Sequence, residues 1–171
     1  MFDTAIQLGG NSAETLNLFQ SVLEWLRNRG EILKGSSLYV TAPWGFESER
    51  SFLNAVVVWR SGTSPEILLR ELIRLECELG RKRSADSSVY QDRSIDLDIL
   101  LSNDLVMATD ELNLPHPRMA DRRFVLEPLN EILPDWRHPV NTKTIEQLLA
   151  ECPDRTYVEK IKEWNNWTGN I

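Results

Sequence analysis

Apolar positions along the chain alternate between two spacings, one suited to strands and one to helices. Thr4-Ala5-Ile6-Gln7-Leu8 reads as a short strand, and Gly9-Gly10-Asn11 ends it before Ser12, a residue suited to capping a helix. Leu16, Phe19, Leu23 and Leu26 then fall on one helical stripe with Val22 beside it, and Gly30 supplies a stop. Strands are expected over Glu31 to Val40 and over Phe52 to Trp59, separated by the turn-rich Thr41-Ala42-Pro43-Trp44-Gly45-Phe46 and a charged segment. Ser64 caps a second helix with Pro65 in its first turn, and Leu68, Leu72, Leu75 and Leu79 recur at helical spacing until Gly80.

The polar and basic stretch from Gly80 to Arg93 predicts a loop, and Ile95 to Leu101 is the clearest strand in the chain. Ser102-Asn103-Asp104 turns the chain toward a strand around Leu105-Val106-Met107, and the prolines of Leu114-Pro115-His116-Pro117 predict a loop. A short helix is expected from Phe124 to Leu129, and Thr144 with Gln147 fits a capping box for a helix through Ala150. Strands and helices mixed in this order predict an α+β fold, a sandwich in which helices cover a mostly antiparallel central sheet.

A length of 171 residues with 42% hydrophobic content is expected to form one domain over residues 1–171, with 154–171 a candidate C-terminal extension. The formal charge of −7 speaks against a general nucleic-acid or anionic-membrane binder. No apolar run is long enough to suggest a membrane span, and Met1-Phe2-Asp3 lacks the features of a secretory signal, so a cytoplasmic protein is expected. Cys77 and Cys152 have neither metal-binding spacing nor a disulfide framework and read as ordinary free thiols.

Residues i and i+2 of a strand share a face, so Asp96 and Asp98 project together while Ile95, Leu97 and Ile99 take the other side. Two neighbouring carboxylates in an apolar strand repel and are costly to bury, and a divalent cation relieves both penalties; Mg²⁺ suits such an all-oxygen site completed by water and phosphate. A solvent-facing edge, or pairing with local arginines, explains the same two residues without a metal. Arg81, Lys82, Arg83 and Arg93 lie upstream, and His116, Arg118, Arg122 and Arg123 downstream, giving phosphate-directed donors on both flanks. The bland reading of the first cluster is a solvated loop. Trp44, Phe52, Tyr90 and Phe124 are candidates to wall a flat heterocycle, although each alone is equally a core residue. The chain has no P-loop motif, no dense zinc-ligand cluster and no local nucleophile-histidine arrangement. These residues leave three functional classes open: a phosphoryl-type transferase, a noncatalytic ligand-binding domain, and a Mg²⁺-dependent nuclease or nucleotidyltransferase.

The ordered set Gly9-Gly10-Asn11, Phe52-Leu53-Asn54-Ala55, Glu76, Gly80-Arg81-Lys82-Arg83, Arg93-Ser94-Ile95-Asp96-Leu97-Asp98-Ile99, Pro115-His116-Pro117 and Arg122-Arg123-Phe124 resembles the 6-hydroxymethyl-7,8-dihydropterin pyrophosphokinases of folate biosynthesis over nearly the whole chain. The resemblance implies a ferredoxin-like-related α/β/α sandwich and transfer of diphosphate from ATP to the pterin alcohol, releasing AMP. It implies that Asp96 and Asp98 hold two Mg²⁺ ions and that Arg81 and Arg83 approach the triphosphate. Arg93, His116 and Arg122 would help hold the nucleotide, with Glu76 and Tyr90 on the same side. Phe52 and Phe124 would sandwich the pterin, and Asn54 would read its polar edge with help from Thr41, Pro43 and Trp44. ATP and the pterin would be the partners of a monomer, with neither nucleic acid nor membrane involved. The chain departs from the family pattern at Gly10, where serine is common, at Trp44, where a smaller aliphatic residue is usual, at Glu111, where an arginine can assist ATP, and at Asn113, where threonine is common.

Overall fold

Strand β1 (Phe2–Gly10) runs through the middle of a six-stranded sheet. It pairs antiparallel with β4 (Phe52–Ser61) on one side and with β5 (Asp96–Ser102) on the other. The remaining edge of β4 is shared by β2 (Glu31–Gly35) and β3 (Leu38–Thr41), and β3 pairs with β8 (Val158–Lys162). Every pairing in the sheet is antiparallel. A separate ribbon joins β6 (Met107–Ala108) to β7 (Asn113–Leu114). The computed structural model describes residues 1–43, 48–81 and 92–168.

Alternation along the strands sorts side chains into two cores. Ile6, Leu8, Ala55, Val57, Trp59, Leu97 and Ile99 meet the apolar stripes of α1 (Thr15–Arg27) and α2 (Pro65–Glu78). Ala5, Val56, Val58 and Leu100 face the other way, onto α3 (Arg123–Ile132) and α4 (Ile145–Glu151). The arrangement is an α+β sandwich with a largely antiparallel central sheet flanked by helices, as the sequence pattern predicts. Toward one end of the sheet this second face turns polar: Gln7, Asn54, Asp96 and Asp98 occupy the positions that continue the apolar row. The second core therefore stops where the cleft begins.

Some element boundaries differ from the sequence expectation. The strand expected over Glu31 to Val40 is divided at Ser36-Ser37. Ser36 N donates to Val56 O at 2.9 Å, and Val56 N is received by the Ser36 side-chain oxygen at 2.9 Å, so a hydroxyl replaces a backbone carbonyl in the ladder. Helix α1 begins at Thr15 with Glu14 in the cap position, not Ser12. Thr15 Oγ1 is engaged by Ser12 N at 2.9 Å and donates to Ser94 O at 3.0 Å, which keeps Ser12 to Glu14 in a turn. Of the strand expected around Leu105 to Met107 only Met107 is in β6, and the helix expected from Phe124 extends through Ile132. The capping box of Thr144 and Gln147 forms in full at the start of α4.

The segment after Asp154 is anchored at several points. Helix α5 (Trp164–Thr168) places Trp167 at 2% exposure, edge-on to Phe19 with ring centroids 6.1 Å apart, and its Nε1 donates to Ser36 O at 3.3 Å. Trp164 lies so close over Gly35 that a Cβ there would sit 2.2 Å from the ring, which only glycine avoids. Glu131 of α3 receives Ser37, Tyr39 and Lys160, tying α3 to β3 and β8. Burial opposes the Glu131 charge, but these bonds together hold its carboxyl below the ordinary range.

Candidate active site

Asp96 and Asp98 share the sheet face that carries the polar end of β1. Their partners across the ladder are Gly9 and Gln7. Between them Leu97 points into the α1/α2 core, and its N–H donates to Glu76 Oε1 of α2 at 2.7 Å. The carboxylate pair is thus held from behind by an apolar anchor and a buried acceptor. In front, Asp96 Oδ1 receives Arg81 Nη1 at 2.6 Å and Oδ2 receives Arg93 Nη1 at 2.6 Å, while Arg81 Nη1 also donates to Glu76. Burial pushes the Asp98 carboxyl up to about 7, and the neighbouring Asp96 charge pushes the same way.

Two carboxylates on one face, one of them raised by burial and then by its like-charged neighbour, fit a Mg²⁺ site of the kind that leaves positions for phosphate and water. No group of three His, Cys, Asp or Glu side chains suited to a metal occurs among the described residues. The cationic environment suits phosphate. Arg122 is buried and Arg93 is half-buried, and both line the same cleft of about 250 Å³.

His116 enters the cleft from the loop after β7, where its N–H donates to Leu100 O at 2.7 Å. Arg118 N donates to His116 Nδ1 at 3.1 Å, which places the proton of a neutral ring on Nε2. Burial, aided by the charges of Arg122 and Arg118, holds the imidazole down to about 4. At neutral pH His116 is therefore an uncharged N–H donor among arginines.

The far end of the cleft has a different character. Phe52 at the start of β4 and Phe124 in the first turn of α3 supply aromatic faces, and the Arg122 guanidinium carbon lies 5.7 Å from the Phe124 ring centre. Between the strands a chain of side-chain hydrogen bonds runs from Gln7 Nε2 to Asn54 Oδ1 at 3.1 Å and from Asn54 Nδ2 to Thr41 Oγ1 at 2.9 Å. All three residues are buried, so each bond acts in an environment where an unmade partner is costly. The cleft joins a charged half suited to phosphates to a flat, amide-edged half suited to a heterocycle.

Thr41, Phe52, Asn54, Arg81, Arg93, Asp96, Asp98, His116, Arg122 and Phe124, all singled out in the sequence, line this one cleft. Pro43 and Glu76 are not in its lining, Glu76 standing behind Arg81 and Leu97. Trp44, Arg83 and Tyr90 lie outside the described residues. Sequence reasoning missed Gln7 as a lining residue; Gly9, from the Gly9-Gly10-Asn11 motif, and Ala42, from the Thr41 to Trp44 turn, line the cleft as well. It also missed the bracing role of Asn11, which exchanges bonds with Arg93 backbone groups at 2.9 and 3.0 Å. Gly10, where the family commonly has serine, packs under Ser94 O so closely that a Cβ would lie 2.5 Å away. Glu111, the charge-reversed position, pairs with Arg70 at 3.0 Å on the exposed surface.

Known proteins resemble this chain over most of its length. Residues 5–134 match the family model for 7,8-dihydro-6-hydroxymethylpterin-pyrophosphokinase. A 2-amino-4-hydroxy-6-hydroxymethyldihydropteridine pyrophosphokinase from Porphyromonas gingivalis is 44% identical over 136 residues, 78% of this chain and 92% of the relative. A protein of the same description from Aquifex aeolicus is 35% identical over 144 residues, 84% of this chain and 88% of the relative. Among solved structures, wild-type Plasmodium falciparum HPPK-DHPS aligns with a TM-score of 0.70 at 16% identity, covering 88% of this chain and 44% of that one, a likeness of fold. By the extent of the family match and of these identities, the chain belongs to the 7,8-dihydro-6-hydroxymethylpterin-pyrophosphokinase family.

Proposed function

We infer that this protein transfers a diphosphate group from ATP to 6-hydroxymethyl-7,8-dihydropterin, giving AMP and the pterin diphosphate for folate biosynthesis. The observation that carries the reading is the junction of the two half-clefts: the carboxylate pair Asp96 and Asp98 opens into the same space as Phe52, Asn54 and Phe124. A heterocycle seated between the phenylalanines, with its edge on Asn54 and Thr41, would present a short side arm toward the charged half.

In the reaction the pterin hydroxymethyl oxygen bonds to the β-phosphorus, and the bond from that phosphorus to the oxygen bridging it to the α-phosphate breaks, so AMP leaves and the hydroxyl proton passes to solvent. Asp96 and Asp98 would hold two Mg²⁺ ions, which supply charge neutralisation on the triphosphate and acidify the attacking alcohol. Arg81 and Arg93, which pair with Asp96, would follow the phosphate charge. Neutral His116 donates a hydrogen bond without adding charge. Glu76 acts from behind, holding Leu97 and with it the spacing of the two carboxylates. We assign neither aspartate as a general base. No helix among the described residues is long and apolar enough to cross a membrane. A cytoplasmic monomer that takes ATP and the pterin as its partners is part of the same proposal.

The test is an assay of the purified protein with ATP, Mg²⁺ and the reduced hydroxymethylpterin, following AMP and pterin diphosphate. Equal formation of the two products is expected, and Asp98→Asn should lower turnover on the order of 100-fold or more. AMP formed without pterin consumption, or normal turnover by Asp98→Asn, would remove the assignment.

A further inference from the structure

The Asn54 amide has two orientations that fit its slot equally in shape and present opposite donor and acceptor patterns. Its partner on β3 does not choose between them. The Thr41 hydroxyl accepts from Nδ2 in the observed arrangement, and it can equally donate to an oxygen placed there. The other partner is Gln7, projecting from β1 on the same sheet face and donating Nε2 to Asn54 Oδ1 at 3.1 Å. Gly9, directly opposite Asn54 in the ladder, puts no side chain between them.

Gln7 is itself an amide, but its two orientations are not equivalent. It is 4% exposed, and its Oε1 has no hydrogen-bond partner among the described residues. In the observed orientation the under-satisfied atom is a carbonyl oxygen, which is tolerated better than an unmade N–H, and turning the Gln7 amide over would break its Nε2 bond to Asn54 Oδ1. Gln7 therefore keeps its NH₂ toward Asn54, and Asn54 keeps its oxygen toward β1 and its nitrogen toward β3. One lone pair of Oδ1 and one N–H of Nδ2 remain for a ligand, in that fixed order.

We propose that Gln7 is a positioning residue that sets the polarity of Asn54 and thereby selects the edge of the heterocycle that the cleft accepts. This rests on the reading of Asn54, Thr41, Phe52 and Phe124 as the pterin subsite. A 2-amino-4-oxopyrimidine edge places an N3–H donor next to an O4 acceptor and matches the fixed amide. A 2,4-diamino edge places an unprotonated N3 next to a 4-amino donor and matches the reversed one.

The experiment measures equilibrium binding of hydroxymethyldihydropterin and of a 2,4-diaminopteridine to the full-length wild type, Gln7→Met, Gln7→Glu and Asn54→Ala, with ATP binding and melting temperature as controls. Gln7→Met removes the amide at similar volume, and should weaken the 4-oxo ligand about 5- to 10-fold while lowering its preference over the 4-amino ligand about tenfold. ATP affinity should fall far less than affinity for the 4-oxo ligand, and the preference between the two pteridines is the deciding readout, because Gln7 also lies opposite Asp98 in the ladder. Gln7→Glu offers only acceptors, so Asn54 turns over and the preference falls further; Gln7→Met carries the test if the added charge prevents folding. Loss of affinity for both ligands in equal measure would reduce Gln7 to a packing role and overturn the proposal. Unchanged affinities in Gln7→Met, with binding lost in Asn54→Ala, would overturn the proposal alone. Unchanged binding in Asn54→Ala would remove the subsite reading beneath it.

Discussion

Replacing Glu76 tests whether the carboxylate pair is held from behind. Glu76 is 2% exposed, and its Oε1 serves Leu97 N at 2.7 Å and the Arg81 guanidinium. Glu76→Ala leaves the Leu97 N–H buried without its acceptor, at a cost of about 1–3 kcal/mol. Arg81 retains Asp96 and can turn toward water, so loss of its second partner adds only about 1 kcal/mol. The sum, about 2–4 kcal/mol, corresponds to a melting temperature lower by roughly 5–15 °C for a chain of this size. Glu76→Gln keeps an oxygen for Leu97 and loses only the charge, which should lower it by about 2–4 °C. Calorimetry on both variants, with turnover measured well below either transition, separates the two contributions. Turnover should fall more in the alanine variant, because Leu97 sits between Asp96 and Asp98. Equal destabilisation by glutamine and alanine would refute the reasoning, since the charge rather than the acceptor would then be holding β5.

Two further perturbations follow from the same physics. The folded pKa of Asp98, about 7, exceeds its unfolded value near 4, so its contribution to stability is present below about pH 4 and lost as pH rises through about 7. His116, at about 4 folded against about 6.5 unfolded, contributes above about pH 6.5 and loses that contribution as pH falls through about 4. The slopes oppose one another, so urea denaturation should show Asp98→Asn losing more stability than wild type between about pH 6.5 and 4.5, and parallel curves would reject the Asp98 shift. Trp167→Ala should cost about 3–5 kcal/mol in the same measurement, and a loss under 1 kcal/mol would show that α5 is not part of the cooperative unit.

Much of the fold was legible because period and function coincide in the long elements. The stripe of α1, the leucine repeat of α2 and the two-residue alternation of β5 each state which side is buried. Breaks and edges were less legible. Ser36 interrupts a strand by substituting its own hydroxyl for a carbonyl, which a pattern of apolar residues does not record. Val158–Lys162 is charged at most positions, so its pairing depends on the exposed edge of β3 rather than on its own composition. In the site, Asp96 and Asp98 announced themselves through strand parity. Gln7 did not, because its importance arises from the register that sets β1 beside β4, a long-range fact invisible in a local window.

The β8 strand has a consequence beyond stability. Without it, Leu38–Thr41 would end the sheet with an open row of backbone donors and acceptors beside apolar side chains, a template for pairing with another molecule. β8 covers that row and presents Glu159, Lys160 and Lys162 near the new boundary. Losing the segment should therefore turn a solution property, monodispersity at high concentration, into intermolecular strand addition well before the remaining helices and sheet come apart.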